Sequence, residues 1–265
     1  MSAQFIRCED RDGIHSIVID RPDKANALTA DMMAALADAI RADTDSALVL
    51  IEGRGDAGFC AGADIAEFLR GDRLERQEDG LKAIVASLAG SPRPVVAAIH
   101  GRTLGAGVLI AALCDLVIAA DNLAFGLPEI RFNMYPVMVQ AALEQKVSET
   151  IAFQLCATGR LLDAGEARSL GLVSDIVPAA SFSAGVRDRA IFYRDRIEAL
   201  RIGRRARGGD GAADVMARIA RLAPLMHENF NRPGVRDTIA RYLKARSSRD
   251  DAGPRPPDDV REVRP

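Results

Sequence analysis

Short apolar runs alternate with amphipathic stretches through the first two-thirds of this chain, and amphipathic stretches dominate the last third. Residues 3–9 and 13–19 have strand-like content, and Asp10-Arg11-Asp12-Gly13 between them predicts a hairpin turn. Arg21-Pro22-Asp23-Lys24 ends the second strand. Thr29 is placed to cap a helix that carries Met32, Met33, Leu36, Ala39 and Ile40 on one face. Ala47 to Glu52 reads as a strand whose consecutive apolar residues suit burial on both faces, as in a parallel sheet. A helix near 80–90, a strand over 94–99, a helix over 105–113 and a strand over 115–120 follow. This alternation predicts an α/β core with largely parallel strands.

Beyond Pro128 the spacing turns helical, over about 136–145, 148–157 and 163–169, with one more strand from Leu172 to Val177. Helices are then predicted over 180–205, 212–228 and 233–246. These patterns divide the chain into a core over 1–180, a helical region over 181–246 and a tail over 247–265. The tail is rich in proline and charge, cannot bury enough surface to offset its ordering entropy, and is expected to be disordered.

Composition narrows the function classes. Of 265 residues 48% are hydrophobic, which supports a sizeable core, and a net charge of −2 argues against nucleic acid as a partner. Cys8, Cys60, Cys114 and Cys156 are widely spaced and read as reduced, mostly buried thiols of a cytoplasmic protein. The first residues lack the basic and apolar blocks of a signal peptide, and the apolar stretch from Gly107 to Ala120 is too short to span a bilayer. His15, His100 and His227 are isolated from any ligand-like spacing, so no metal site is expected.

Two glycine-containing segments carry the candidate chemistry. Phe59-Cys60-Ala61-Gly62-Ala63-Asp64-Ile65 and His100-Gly101-Arg102-Thr103-Leu104-Gly105-Ala106-Gly107 each follow a β-rich run and lead into a helical pattern. Such turns expose backbone N–H groups that favour negative charge. Two of them can aim two N–H groups at one oxygen, forming an oxyanion hole. The alternative is a pair of tight turns that merely pack helix on sheet. The spacing Gly101-x-x-x-Gly105-x-Gly107 also resembles the phosphate-binding turn of short-chain dehydrogenases. However, none of Tyr135, Tyr193 and Tyr242 has the lysine four residues later that this chemistry uses.

The same segments resemble the signatures of the crotonase (enoyl-CoA hydratase/isomerase) superfamily. Phe59 to Ile65 is similar to its first signature; Gly101 to Gly107, Cys114-Asp115 and Phe125-Gly126-Leu127-Pro128-Glu129 are similar to its second. Arg21-Pro22-Asp23-Lys24-Ala25-Asn26-Ala27-Leu28, Thr158 to Ala164 with Gly171-Leu172-Val173, and the closing helix from Pro233 extend the likeness over roughly residues 5–246. The resemblance implies a spiral of ββα units with a C-terminal helical region, assembled as a trimer or dimer of trimers. It also implies an acyl-CoA substrate, with coenzyme A as part of that substrate and no separate cofactor. The implied oxyanion donors are the N–H groups of Ala63 and Ala106, and the implied coenzyme A contacts are Lys24, Ala25, Ala27, Ala61, Asp64, Ile65 and Leu104. Lys24 equally suits a solvated turn, and Asp64 suits an N-cap better than a catalyst.

Leu109 departs from the family pattern. Hydratases of the family handle water with two glutamates, and their positions here are Leu109 and Glu129. Leucine neither accepts a proton nor orients water, so Glu129 is the sole evident acid/base, unless it pairs with a cation such as Arg131. Losing one partner of an acid/base pair costs about 10²–10⁴-fold, which favours isomerisation or another single-base reaction over hydration. Glu144, Asp163 and Glu166 read as solvated helix faces, and Met32, Met33, Met134 and Met138 as core or pocket lining. Tyr135-Pro136-Val137-Met138 replaces a small turn with bulkier side chains that narrow the acyl pocket. Beside the enzyme reading stands a non-catalytic acyl-CoA-binding homologue that serves as a regulatory or assembly partner.

Overall fold

The computed structural model describes residues 5–69, 73–206 and 211–250. Strands β1 (Ile6–Arg11) and β2 (Ile14–Ile19) form the expected hairpin. Asp12 and Gly13 both take positive φ, 53° and 73°, the mirror-image turn whose twist matches that of paired strands. Helix α1 (Ala30–Arg41) starts at Thr29, whose hydroxyl accepts the Met32 N–H at 3.2 Å, and it buries Met32, Met33, Leu36, Ala39 and Ile40 as the spacing predicts.

The main sheet has six strands in the order β1-β2-β3-β4-β6-β9, with β3 (Leu48–Gly53), β4 (Val95–Ile99), β6 (Leu116–Ala120) and β9 (Asp175–Val177). Beyond the hairpin every pairing is parallel. All residues of β4 are buried, because each face of the sheet is covered. One face packs on α1, α2 (Arg73–Ala89) and α3 (Ala106–Leu113) through Val49, Ile51, Ala97 and Ile99. The other packs on α7 (Phe182–Arg194) through Leu48, Leu50, Val96, Val186 and Ala190.

A second sheet of three strands, β5 (Arg102–Leu104), β7 (Ala124–Gly126) and β8 (Leu161–Leu162), lies outside the sequence expectation. Its strands are too short to show a period. Each follows or feeds the main sheet, so β4-β5-α3 and β6-β7-α4 (Val137–Leu143) repeat one strand–strand–helix unit. The segment after β3 joins the same second layer through bridges between Gly58 and Gly101 and between Cys60 and Thr103. The result is the expected α/β spiral of ββα units.

Other differences have local causes. Helix α2 begins before residue 80 because its early inward face is polar: Gln77 and Glu78 are buried. The strand expected from Leu172 shortens to β9, since the Leu172 N–H instead closes α6 (Ala164–Ser169) on the Ala167 carbonyl. The helix expected over 180–205 splits into α7 and α8 (Ile197–Ala206) at Asp195-Arg196. Helices α5 (Glu149–Thr158) and α9 (Gly211–Phe230) follow expectation. Helix α10 (Val235–Asp250) runs beyond the predicted helix end into the predicted tail, and residues 251–265 of that tail lie outside the described residues. Among the described residues no helix is long and apolar enough to cross a membrane.

Gly58 has φ 133°, and a Cβ there would lie 2.3 Å from the Arg102 nitrogen. Gly58→Ala should therefore destabilise the fold by roughly 3 kcal/mol or more. Urea unfolding measures this; an unchanged midpoint would show that the two layers are not held together at this point.

Candidate active site

Three loops are stitched together by their main chains. The Cys60 N–H donates to the Arg102 carbonyl at 3.2 Å, and the Leu104 N–H donates back to the Cys60 carbonyl at 2.8 Å. On the other side the Ala61 N–H donates to the Ala25 carbonyl at 3.0 Å, the Leu28 N–H to Gly62 at 2.9 Å, and the Asp64 N–H to Leu28 at 2.8 Å. The first signature thus lies between the second signature and residues 25–28. A Cβ on Gly107 would lie 2.6 Å from the Cys60 carbonyl, so only glycine lets α3 approach this closely.

The stitching brings Gly62 and the Gly105–Ala106 turn face to face. A Cβ on Gly62 would fall 3.7 Å from the Ala106 nitrogen and 3.3 Å from the Leu104 carbonyl. Ala106 is the first residue of α3, and its N–H, like that of Ala63, has no acceptor among the described residues. Unlike the second turn, the first leads not directly into an α-helix but into a 3-10 turn at Glu67–Leu69. Asp64 supports that turn, accepting the Ala66 N–H at 3.0 Å, and its other oxygen takes Arg21 Nη1 at 2.8 Å. It is therefore a braced turn residue, its carboxylate already engaged. Ile65 packs with Ala63 against Phe230, Val235 and Ile239 of α9 and α10.

Glu129 enters from the far side. Parallel pairing of Leu104 with Gly126 sets β7 beside β5, and the 3-10 turn Pro128–Phe132 follows directly. The carboxyl reaches back to the Gly105 turn: a Cβ on Gly105 would lie 2.5 Å from Glu129 Oε1. Oε2 is buried without a hydrogen-bond partner. Loss of solvation raises this carboxyl to about 7, only partly opposed by a backbone hydrogen bond of its own residue. Among the described residues Arg131 does not pair with it and Glu129 has no ion pair; Arg131 is exposed. Leu109, one helical turn after Ala106, is fully buried in the apolar core.

Lys24 is exposed at the end of the Pro22–Lys24 turn, while Ala25, in a left-handed conformation at φ 48°, is buried. Ala27 presents its carbonyl to Arg21 Nη1 at 2.9 Å. Asn26 was quoted in the sequence without a role and turns out to be central. It is fully buried, and its amide donates to the carbonyls of Arg54 and Gly58 at 2.9 and 2.8 Å.

Cys156 was missed as a site group, and Tyr135 was expected only to narrow the acyl pocket. Tyr135 follows the Glu129 turn, and Cys156 lies on α5, whose C-terminal Gly159 packs directly on Ile130. Burial and the nearby Glu129 charge push the Cys156 thiol up to about 12. Glu144 departs from the solvated expectation: it is mostly enclosed and held by Arg218 Nε at 2.6 Å. Asp163 and Glu166 form an exposed capping box, as solvated helix-face residues do. Cys60, Cys114 and Cys156 are buried free thiols and Cys8 is an exposed one. Among the described residues no group of histidine, cysteine and carboxylate side chains is arranged to hold a metal.

The spiral of strand–strand–helix units with this pair of glycine turns is the architecture of the crotonase superfamily. The enoyl-CoA hydratase/isomerase family model matches residues 9–198, and the chain belongs to that family. A probable enoyl-CoA hydratase of Mycobacterium tuberculosis is 35% identical over 183 residues, covering 68% of this chain and 71% of its own. The 2,3-dehydroadipyl-CoA hydratase of Escherichia coli is 33% identical over 167 residues, covering 62% of this chain and 65% of its own. Among solved structures, carnitinyl-CoA hydratase from Mycobacterium avium matches with a TM-score of 0.79 at 26% identity, over 91% of this chain and 96% of that one.

The raised Glu129 carboxyl has a consequence for stability. Held at about 7 in the folded chain against an ordinary 4.5, it binds more protons folded than unfolded between those values. Its contribution is complete below the lower value and is lost as pH rises through the upper one. Glu129→Gln removes this dependence. The variant should therefore gain on wild type by up to roughly 3 kcal/mol between pH 5 and 8. Denaturant unfolding of both proteins at the two pH values measures it; a constant difference would show the carboxyl to be solvated.

Proposed function

We propose that the protein acts on an acyl-CoA thioester, with Glu129 moving a proton at the carbon beside the carbonyl while the N–H groups of Ala63 and Ala106 stabilise the enolate oxygen. The observation that carries this reading is the contact of the enclosed Glu129 carboxyl with the Gly105–Ala106 turn, where the Ala106 N–H has no acceptor among the described residues. A carboxyl poised near neutrality transfers protons in either direction with little driving-force penalty. Preorganised N–H donors at a developing oxyanion contribute about 3–4 kcal/mol each.

Lys24, Ala25, Ala27, Ala61, Asp64, Ile65 and Leu104 surround the stitched loops and form the proposed coenzyme A contacts. Within this proposal Asp64 acts by bracing the loop, since its side chain holds Arg21 and its N–H the Leu28 carbonyl. Relatives named as hydratases support the substrate class. Leu109 takes a water-holding carboxylate out of the site, which favours double-bond migration as the principal reaction. Assembly as a trimer or dimer of trimers, in the cytoplasm, belongs to the same proposal.

Incubation with 2-enoyl- and 3-enoyl-CoA in D₂O, followed by mass spectrometry, tests it. Wild type should take up deuterium and interconvert the isomers. Glu129→Gln should lose at least about 10²-fold of that rate yet keep the thermal shift given by acyl-CoA. Undiminished turnover in the variant removes Glu129 from the mechanism. Binding without turnover by wild type leaves a non-catalytic acyl-CoA binder.

A further inference from the structure

Helix α2 carries two polar residues on its inward stripe. Leu74, Leu81, Ile84, Val85 and Leu88 are buried at helical spacing, and Gln77 and Glu78 are buried in the same stripe. The helix is firmly seated, since Ile84, Val85 and Leu88 lie in the main core with Met33 and Leu36 of α1. Glu78 is held from two sides, by Lys82 Nζ and by His227 Nε2 of α9, each at 2.5 Å. Gln77 serves the site loop instead. It is fully buried, and its Nε2 donates to the Asp64 carbonyl and to Glu67 Oε2, both at 3.1 Å.

The amide has one orientation. A carbonyl accepts and never donates, so Nε2 faces Asp64 and Oε1 points away, buried without a partner among the described residues. An unsatisfied buried oxygen costs about 1–3 kcal/mol, which an apolar side chain in this stripe avoids. The glutamine is present despite this, and both its bonds end on the turn that follows Ala63. The other ties of that turn are known. Leu28 pairs with Ala63: the Leu28 N–H donates to the Gly62 carbonyl at 2.9 Å, and the Leu28 carbonyl accepts the Asp64 N–H at 2.8 Å. In a trans peptide the N–H lies opposite the carbonyl, so the Ala63 N–H points away from residues 25–28. The Asp64 carbonyl takes two donors, the Glu67 N–H at 3.0 Å from within the turn and Gln77 from α2. Glu67 Oε2 accepts the Ala30 N–H at 2.9 Å, at the start of α1.

Resting on the acyl-CoA reading above, we propose that Gln77 is a positioning residue for the first oxyanion donor: by fixing the Asp64 carbonyl to α2, it holds the Ala63 N–H where the thioester oxygen gathers charge. Donors of this kind act because they are in place before the charge develops, and a displacement of about 0.5–1 Å forfeits much of their effect. In this role Gln77 touches no reacting atom. Its influence passes along the main chain from Asp64 to the adjoining Ala63. Glu129 stands across the site on the turn after β7, so its proton transfer is left as it is.

The test separates positioning from packing. Gln77→Met keeps the length of the side chain and removes the amide. Asp64 keeps the Glu67 N–H and Glu67 keeps the Ala30 N–H, so neither acceptor loses its last partner. The variant should therefore unfold in urea at the wild-type midpoint or above it. Its kcat for deuterium uptake from D₂O into 3-enoyl-CoA should fall by about tenfold, with KM within about threefold and the shape of the pH profile retained. Backbone hydrogen exchange read by mass spectrometry gives a second measure, in which the peptide covering 62–67 should exchange faster in the variant. A lowered urea midpoint or a failure to fold makes Gln77 a packing residue and overturns the role. An unchanged kcat, a loss confined to KM, or unchanged backbone exchange at 62–67 overturns it as well, with the acyl-CoA reading intact. Wild type that takes up no deuterium overturns the acyl-CoA reading itself, and the donor role falls with it.

Discussion

Main-chain hydrogen bonds running sideways between three loops hold this molecule's site together. Residues 25–28, 58–64 and 101–106 meet backbone to backbone, through Ala61 to Ala25, Leu28 to Gly62, Cys60 to Arg102 and Leu104 to Cys60. Each such bond contributes only about 0.5–1.5 kcal/mol net, but together they dictate where two N–H groups without an acceptor among the described residues lie. The price is paid in side chains: Gly58, Gly101 and Gly107 sit where a Cβ would meet backbone at 2.3, 3.1 and 2.6 Å. Asn26 completes the arrangement by spending its amide on the carbonyls that the loops leave over.

A second layer of order comes from the C-terminal helices. Helix α9 reaches the site loop with Asn229 and the end of α4 with Arg218. It also meets α2, where His227 stands 2.5 Å from the buried Glu78. Phe230, Val235 and Ile239 close over Ala63 and Ile65 from the same side. The spiral core therefore supplies the backbone donors and Glu129, while the helical region fixes the side chains around them.

Much of this was readable from the residues. Regular periods marked α1, β3 and β4, and the glycine segments announced the two turns. The second sheet was not readable, because β5, β7 and β8 are two or three residues long and carry no alternation. The early turns of α2 escaped because Gln77 and Glu78, polar by type, face inward. In the site, Glu129 was nominated by its motif, but its isolation from Arg131 is a matter of three-dimensional placement. Tyr135, Cys156 and Glu144 meet only after α4 and α5 fold back on the Glu129 turn; their sequence spacing follows no single period. Asn26 lay in view within a motif, yet its carbonyl partners come from residues 54 and 58.

Enclosure of Glu129 with no cation partner among the described residues also bears on the proposed proton transfer. A carboxyl paired to arginine would begin every cycle as an anion and could only take a proton first. One poised at about 7 is populated in both forms near neutrality. In the proposed role, the same resting protein would offer a base to a substrate that must lose a proton and an acid to one that must gain it. Under the proposed function the one carboxyl can therefore serve both halves of a proton transfer between thioesters, and concentrations alone set the net flow, as they do for any catalyst.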